Sequence, residues 1–200
     1  CKINNTTTIP PLRSKNEKKM SLGDATHRKL MRDFRLYMLV GGMPQAVAAY
    51  IKTNNFTAVD LAKRDIIALY EEDFGKIDDS GRAKAMYDAI PAQLSRNTSR
   101  YQVGNAIPEE KVDRVIDIVK DMEDSMTTNI AFHSDDPNFK MYTSDTGLFV
   151  TLAFKDNDLT ENVIYEKLLS DKLSANLGYV YENMIAQMLR ATGKNLFYHT

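Results

Sequence analysis

Tryptophan is absent from the chain, cysteine occurs once, at Cys1, and histidine only three times. A single thiol excludes an internal disulfide and any zinc site built on several cysteines, and it fits a reducing compartment, so the cytoplasm is the expected location. No apolar stretch approaches the roughly 20 residues of a membrane-spanning helix; the longest, near 37–40, is broken at once by Gly41-Gly42. A surplus of one charge sign is missing too. With 26 Lys and Arg against 27 Asp and Glu, the net charge is −1, and no global positive field exists to hold nucleic acid. The pattern G-x-x-x-x-G-K-S/T occurs nowhere, so these residues do not bind a nucleoside triphosphate in the P-loop manner. No repeat of fixed period is visible.

What is present is the composition of a packed chain: 43% hydrophobic and 26% charged over 200 residues, enough for one domain or two small ones. The chain opens at Cys1 with no Met and no signal-peptide pattern, which suggests either that something was removed or that this is a piece of a longer protein. A mature lipoprotein also begins with cysteine, but the residues that follow carry little secreted character.

Residues 1–23 are polar, with Pro10-Pro11 and a basic cluster at Arg13, Lys15, Lys18 and Lys19, and read as a linker. Periodicity begins after Asp24, a candidate N-cap. Leu30, Met31, Phe34, Tyr37 and Met38 form a helical stripe that Gly41-Gly42 terminates. Pro44 suits the first turn of a second helix, and Val59, Ile66, Leu69, Tyr70 and Phe74 mark a third. Gly75 and the cluster Asp78-Asp79-Ser80-Gly81 suggest a boundary. Beyond it come a helix interrupted at Pro91, a short segment 101–107, and a helix from Pro108 with the stripe Val112, Val115, Ile116, Val119 and Met122. Two strands follow, 127–133 and 139–143. Three helices and a two-stranded ribbon are the order of a winged helix-turn-helix. Helical patterns return at 147–154 and 161–170. The strongest runs from Leu173 to Leu189, with Gly193 at its C′ position, and 195–199 reads as a strand. The expected fold is therefore mainly α with a small β ribbon: a helical segment over 24–78, a winged-helix-like domain over 79–155, and a further unit from 156.

Several motifs invite chemistry. Asp145-Thr146-Gly147 is the tripeptide of aspartic proteases, but it occurs once and precedes a helix, so Asp145 reads as an N-cap. His133, Asp135 and Asp136 resemble a metal cluster only weakly, because His27 and His199 are far away in sequence and no helical histidine pair exists. They read as a polar turn, and neither a metal nor a cofactor site is expected. No Ser-His-Asp signature is present. The helix 109–125, in the DNA-reading position, carries Lys111, Arg114 and Lys120 against seven acidic residues, a surface that phosphates would repel. A better nucleic-acid candidate is Arg82, Lys84, Arg96 and Arg100 with Tyr101 as a stacking platform, against the plain alternative of a solvated face. Glu182, beside the apolar face of the last helix, is either boundary decoration or a catalytic carboxylate.

Four ordered motifs carry a resemblance. The segment from Tyr37 through Gly41-Gly42-Met43-Pro44 to Val47, then Arg64-Asp65-Ile66 with Leu69-Tyr70, then Lys140-Met141-Tyr142 with Asp145-Thr146-Gly147-Leu148, and finally Gly178-Tyr179-Val180-Tyr181-Glu182-Asn183 resemble the C-terminal region of bacterial and archaeal AAA-type ATPases that carry a domain of unknown function. The resemblance implies a P-loop ATPase domain, using ATP and Mg²⁺, before Cys1, a winged helix in the middle, and an endonuclease-like fold of which 156–200 would be the opening. It also implies longer connections at Ile107-Pro108 and Asn138-Phe139. Glu182 would hold the first acidic position of that endonuclease-like fold, with the rest of the metal site beyond Thr200. The chain itself would then be a non-catalytic accessory or recognition region, with its own ATPase domain or a protein as partner.

Overall fold

The computed structural model of the protein describes residues 14, 15, 17–21, 23–96, 98–155, 165, 169 and 178–199. Most of the predicted linker lies outside them. So does the predicted helix 161–170, apart from Tyr165 and Leu169, and so do Leu173 and Leu177 of the last stripe.

The first stripe folds as helix α1, Asp24–Val40, with Gly23 rather than Asp24 at the cap position. Gly41, at φ 79°, ends it by donating its N–H to the Tyr37 carbonyl at 2.8 Å. Helix α2, Pro44–Thr53, starts with its proline in the first turn, where the missing N–H has no partner to lose. Asn54 in the left-handed region and Asn55, whose side chain accepts the Thr57 N–H at 2.8 Å, then turn the chain directly into α3, Phe56–Ile77. Helix α4, Arg82–Ser95, runs through Pro91 without the predicted interruption. The proline forfeits one backbone bond, but its ring is buried along with Tyr87, Ile90 and Leu94, and that packing holds the helix.

A single turn, α5 (Val103–Ala106), leads to α6 (Val112–Asp124), which buries Val115, Ile118, Val119 and Met122. Asp113, Asp117, Asp121 and Asp124 of α6 are exposed, while Glu123 is partly buried and paired with Arg190. Strands β1 (Thr128–His133) and β2 (Phe139–Thr143) form the predicted antiparallel ribbon, with Ile130 opposite Met141. Its connection is short, and His133 donates its N–H to the Asn138 carbonyl at 2.8 Å across the loop. Helix α7, Thr146–Ala153, follows β2 at once and is buried from Thr146 to Leu152. A helix apolar on every side belongs in the middle of a core. Accordingly, α1, α3, α4 and α8 (Gly178–Ala191) all pack on it.

The last strand, β3 (Leu196–Tyr198), forms as predicted, but its partner is the ribbon itself. It pairs parallel with β1, with Ala131 beside Leu196 and His133 beside Tyr198, giving a three-stranded mixed sheet of order β2-β1-β3. The architecture is thus mainly helical with a small mixed sheet. One cluster of buried apolar side chains runs from Leu36 on α1 to Leu196 on β3. No described helix is long and apolar enough to cross a membrane.

Candidate functional site

The motifs scattered along the sequence meet at one seam. Asp145 caps α7 by accepting the Leu148 N–H at Oδ1 (2.9 Å), while its Oδ2 accepts the Gly42 N–H at 2.6 Å. One carboxylate therefore ties together the entrances of α2 and α7, where the orphan N–H groups and the helix dipole both favour negative charge. This confirms the N-cap expectation and explains the glycines. A Cβ on Gly147 would lie 2.6 Å from the Gly41 Cα and 2.7 Å from the Val40 carbonyl oxygen, so the two backbones meet at a distance only glycine permits.

Beneath the seam lies a fully buried lysine on α3. Lys63 donates from Nζ to the Leu39 carbonyl (2.8 Å), the Gly147 carbonyl (3.1 Å) and the Tyr165 hydroxyl (2.9 Å). It satisfies a carbonyl at the end of α1 and fastens it to the first turn of α7, with its charge at the favourable end of the α1 dipole. Burial depresses its pKa to about 8, although Asp60 and Asp145 favour the charged form. Asp60 is the counter-charge. Burial alone would raise its carboxyl, but hydrogen bonds from Arg64 (2.8 Å), Thr151 (2.8 Å) and Tyr165 (2.9 Å), together with the Lys63 charge, hold it below the usual range. The signal available in the sequence was weak: an Asp-x-x-Lys-Arg run on a helix looks like any solvated face.

Helix α8 closes the seam from the other side. Asn183 accepts the Thr143 N–H at 2.9 Å and donates to the Thr143 carbonyl at 3.3 Å, replacing a missing strand partner for the end of β2. Gln187 accepts from the Thr146 N–H (3.0 Å) and hydroxyl (2.7 Å) and donates to the Tyr37 hydroxyl at 3.1 Å. Glu182 points to β2, where Lys140 Nζ (3.0 Å) and the Tyr142 hydroxyl (2.9 Å) both donate to its Oε1. Burial and the Glu182 charge raise the Tyr142 pKa, which keeps that hydroxyl protonated and donating. No second carboxylate joins Glu182 in a metal cluster among the described residues.

The predicted basic patch is not assembled as a stacking surface. Tyr101 is 4% exposed, its ring stacked on Phe139 at 5.5 Å and its hydroxyl donating to the Met86 carbonyl, because its apolar ring fills the gap between α4 and β2. Arg82 is paired with Asp78 and Glu110, and Lys84 with Glu71 and Asp88. Arg96 and Arg100 are exposed, and Arg100 donates to the Asn138 side chain at 3.2 Å. A shallow pocket of about 160 Å³ lined by Arg64, Ile67, Ala68, Glu71, Thr151 and Lys155 is smaller than the roughly 300–1,000 Å³ of ordinary ligand sites.

At the end of the sheet, parallel pairing brings two distant histidines together. The rings of His133 and His199 stack at 5.7 Å, and the carboxylate of Asp135 lies 3.2 Å from His199 Nδ1. The expectation of a plain polar turn did not include His199, because nothing local in the sequence announces that β3 lies beside β1.

Residues 31–159 match the family described as Domain of unknown function (DUF8612). The chain belongs to that family. No curated protein and no solved structure matches it. Within the DUF8612 span fall Gly41, Gly42, Lys63, Asp145 and Gly147, so both backbones of the close approach and the lysine beneath them are family territory. Asn183, Gln187 and Glu182 on α8, and His199 just past β3, lie after it.

Proposed function

We propose that this DUF8612 chain is a non-catalytic accessory and docking region of a larger AAA-type ATP-binding protein, and that α8 carries its docking face. The observation that carries the reading is a stripe on α8. Ile185, Met188 and Leu189, at helical spacing, are 53%, 54% and 41% exposed beside the seam. Contiguous exposed apolar surface marks interaction sites more than it marks catalysis. The partner is the protein's own ATPase domain, which supplies ATP, Mg²⁺ and the P-loop lysine. In the same reading, α4, α5, α6 and the β1–β2 ribbon are a winged-helix-like unit. The acidic outer face of α6 directs that unit to protein rather than DNA. Glu182, α8 and β3 open an endonuclease-like fold in which Glu182 needs further carboxylates to hold a metal for phosphodiester cleavage.

Calorimetric titration of the chain with Mg-ATP is expected to show no binding, whereas the intact gene product binds it. Micromolar affinity in the chain alone, or an intact gene without a P-loop, overturns the proposal. Ile185→Asp with Met188→Asp, both at exposed positions, should abolish association with the separately produced ATPase domain and leave the fold unchanged.

A further inference from the structure

We infer that His133, Asp135 and His199 form a binding site for a divalent transition-metal ion of the zinc or ferrous class. The fold builds it from two directions. Strand β1 ends at His133, and the chain turns so that Asp135, two residues on, comes back over the same end of the sheet. Strand β3 runs parallel to β1 and delivers His199 immediately after the Tyr198 position that pairs with His133. One ligand atom from each residue falls within 4.8 Å of the others.

The chemistry of the donors is specific. Two imidazoles and a carboxylate suit zinc, and the same set on one face leaves open positions on ferrous iron. Calcium and magnesium prefer oxygen ligands throughout. His133 is the fixed member. Its side chain is only 11% exposed, its ring meets Tyr198 edge-on at 5.0 Å, and its Nδ1 accepts the Asp135 N–H at 3.2 Å. Asp135 and His199 are the adjustable members, 67% and 73% exposed. Metal–nitrogen and metal–oxygen bonds of about 2.0–2.2 Å require the donors to draw together by roughly 1 Å, and two exposed side chains make that movement without disturbing the core. Already in place is the Ser134 hydroxyl, 3.0 Å from Asp135 Oδ2 and 3.1 Å from His199 Nδ1. A bound ion would take the place of the direct contact between His199 and Asp135, and water would complete its coordination. Such an ion would clip the end of β3 to the β1–β2 loop.

Titration of the full chain with Zn²⁺ by calorimetry, and with Co²⁺ by visible absorption, reads the site directly. One equivalent is expected to bind with micromolar affinity, and Co²⁺ should develop the d–d bands of a nitrogen–oxygen site. His199→Ala and Asp135→Ala, both at exposed positions, should weaken binding by about tenfold or more, the scale on which even outer-sphere partners act. Cys1→Ser and His27→Ala remove the remaining thiol and imidazole and should change nothing. Absence of saturable binding at submillimolar Zn²⁺ overturns the proposal. So does affinity that survives His199→Ala unchanged, or that disappears with Cys1→Ser or His27→Ala.

Discussion

Gly147 is hemmed in by backbone. The atoms a new Cβ would meet, the Gly41 Cα at 2.6 Å, the Gly41 N at 2.7 Å and the Val40 carbonyl at 2.7 Å, are all backbone and cannot rotate away. Gly147→Ala must push α1 and α7 apart, and the expected cost is about 3 kcal/mol, the upper range for overpacking. Gly75, in α3, has nothing within 4 Å of its hypothetical Cβ. Gly75→Ala is therefore expected to be neutral or to stabilise by up to about 1 kcal/mol. Urea midpoints compare the two variants, and an unshifted midpoint for Gly147→Ala would refute the close approach. Lys63 makes a second residue-scale prediction. Burial sets its folded pKa near 8, below the unfolded value of 10.5. Below pH 8 the group is charged in both states and the full penalty is present. Between about 8 and 10.5 the unfolded chain keeps a proton that the folded chain has released, so stability should rise with pH, by up to about 1.4 kcal/mol per unit. Near pH 10 the buried tyrosines Tyr87, Tyr101 and Tyr142, whose pKa values burial raises, begin to oppose it. Urea midpoints that fall or stay level between pH 8 and 9.5 would contradict this account of Lys63.

Helix α8 is held by side chains more than by apolar contact alone. Asn183 is fully buried and takes the Thr143 N–H at 2.9 Å, on the edge strand of the described sheet. Asn183→Leu keeps the branched shape of the side chain and removes the acceptor, leaving a buried N–H unpaired at a cost of about 1–3 kcal/mol. Glu182→Gln, at the half-exposed pair with Lys140, should cost less than about 1 kcal/mol. Guanidinium denaturation of the two variants should therefore separate them, and equal losses would mean that α8 is not anchored through Asn183. The contrast also shows what the sequence makes legible. Pro44 in a first turn, Asp145 as a cap, and Gly41 and Gly193 as terminators all act within a turn, so spacing reveals them. The link from Asn183 to Thr143 spans 40 residues, and the link from Lys63 to Gly147 spans 84. Neither has a local signature, because a buried asparagine or lysine on an amphipathic helix is spelled like an exposed one. The same holds for His133 and His199, which become neighbours only once β3 chooses β1. Tyr101 erred in the opposite direction: an aromatic beside arginines reads as a surface platform, yet its ring was needed to fill the space against Phe139.

At the scale of the molecule, the family span and the core do not end together. The DUF8612 match stops at residue 159, but Val180, Met184 and Ala186 on α8 and Leu196 on β3 belong to the same buried cluster as Leu36 and Phe149. At about 1.5–3 kcal/mol for each large apolar side chain removed from water, Val180, Met184 and Leu196 together contribute about 5–9 kcal/mol before the entropy of ordering them. Asn183 and Gln187 add hydrogen bonds to Thr143 and Thr146 that a shortened chain would leave open. A domain's whole stability is about 5–15 kcal/mol, so a chain ending at residue 159 is expected to lose its cooperative fold. The full 200 residues should unfold in one transition, followed by circular dichroism and by tyrosine fluorescence, since tryptophan is absent. The shortened chain should show no sigmoidal transition in urea and should bind a hydrophobic dye, because α7 loses one of the helices that bury it. A shortened chain that unfolds cooperatively near the wild-type midpoint would mean that α8 and β3 are appended to the family's domain. Loss of the transition would mean that they complete its core.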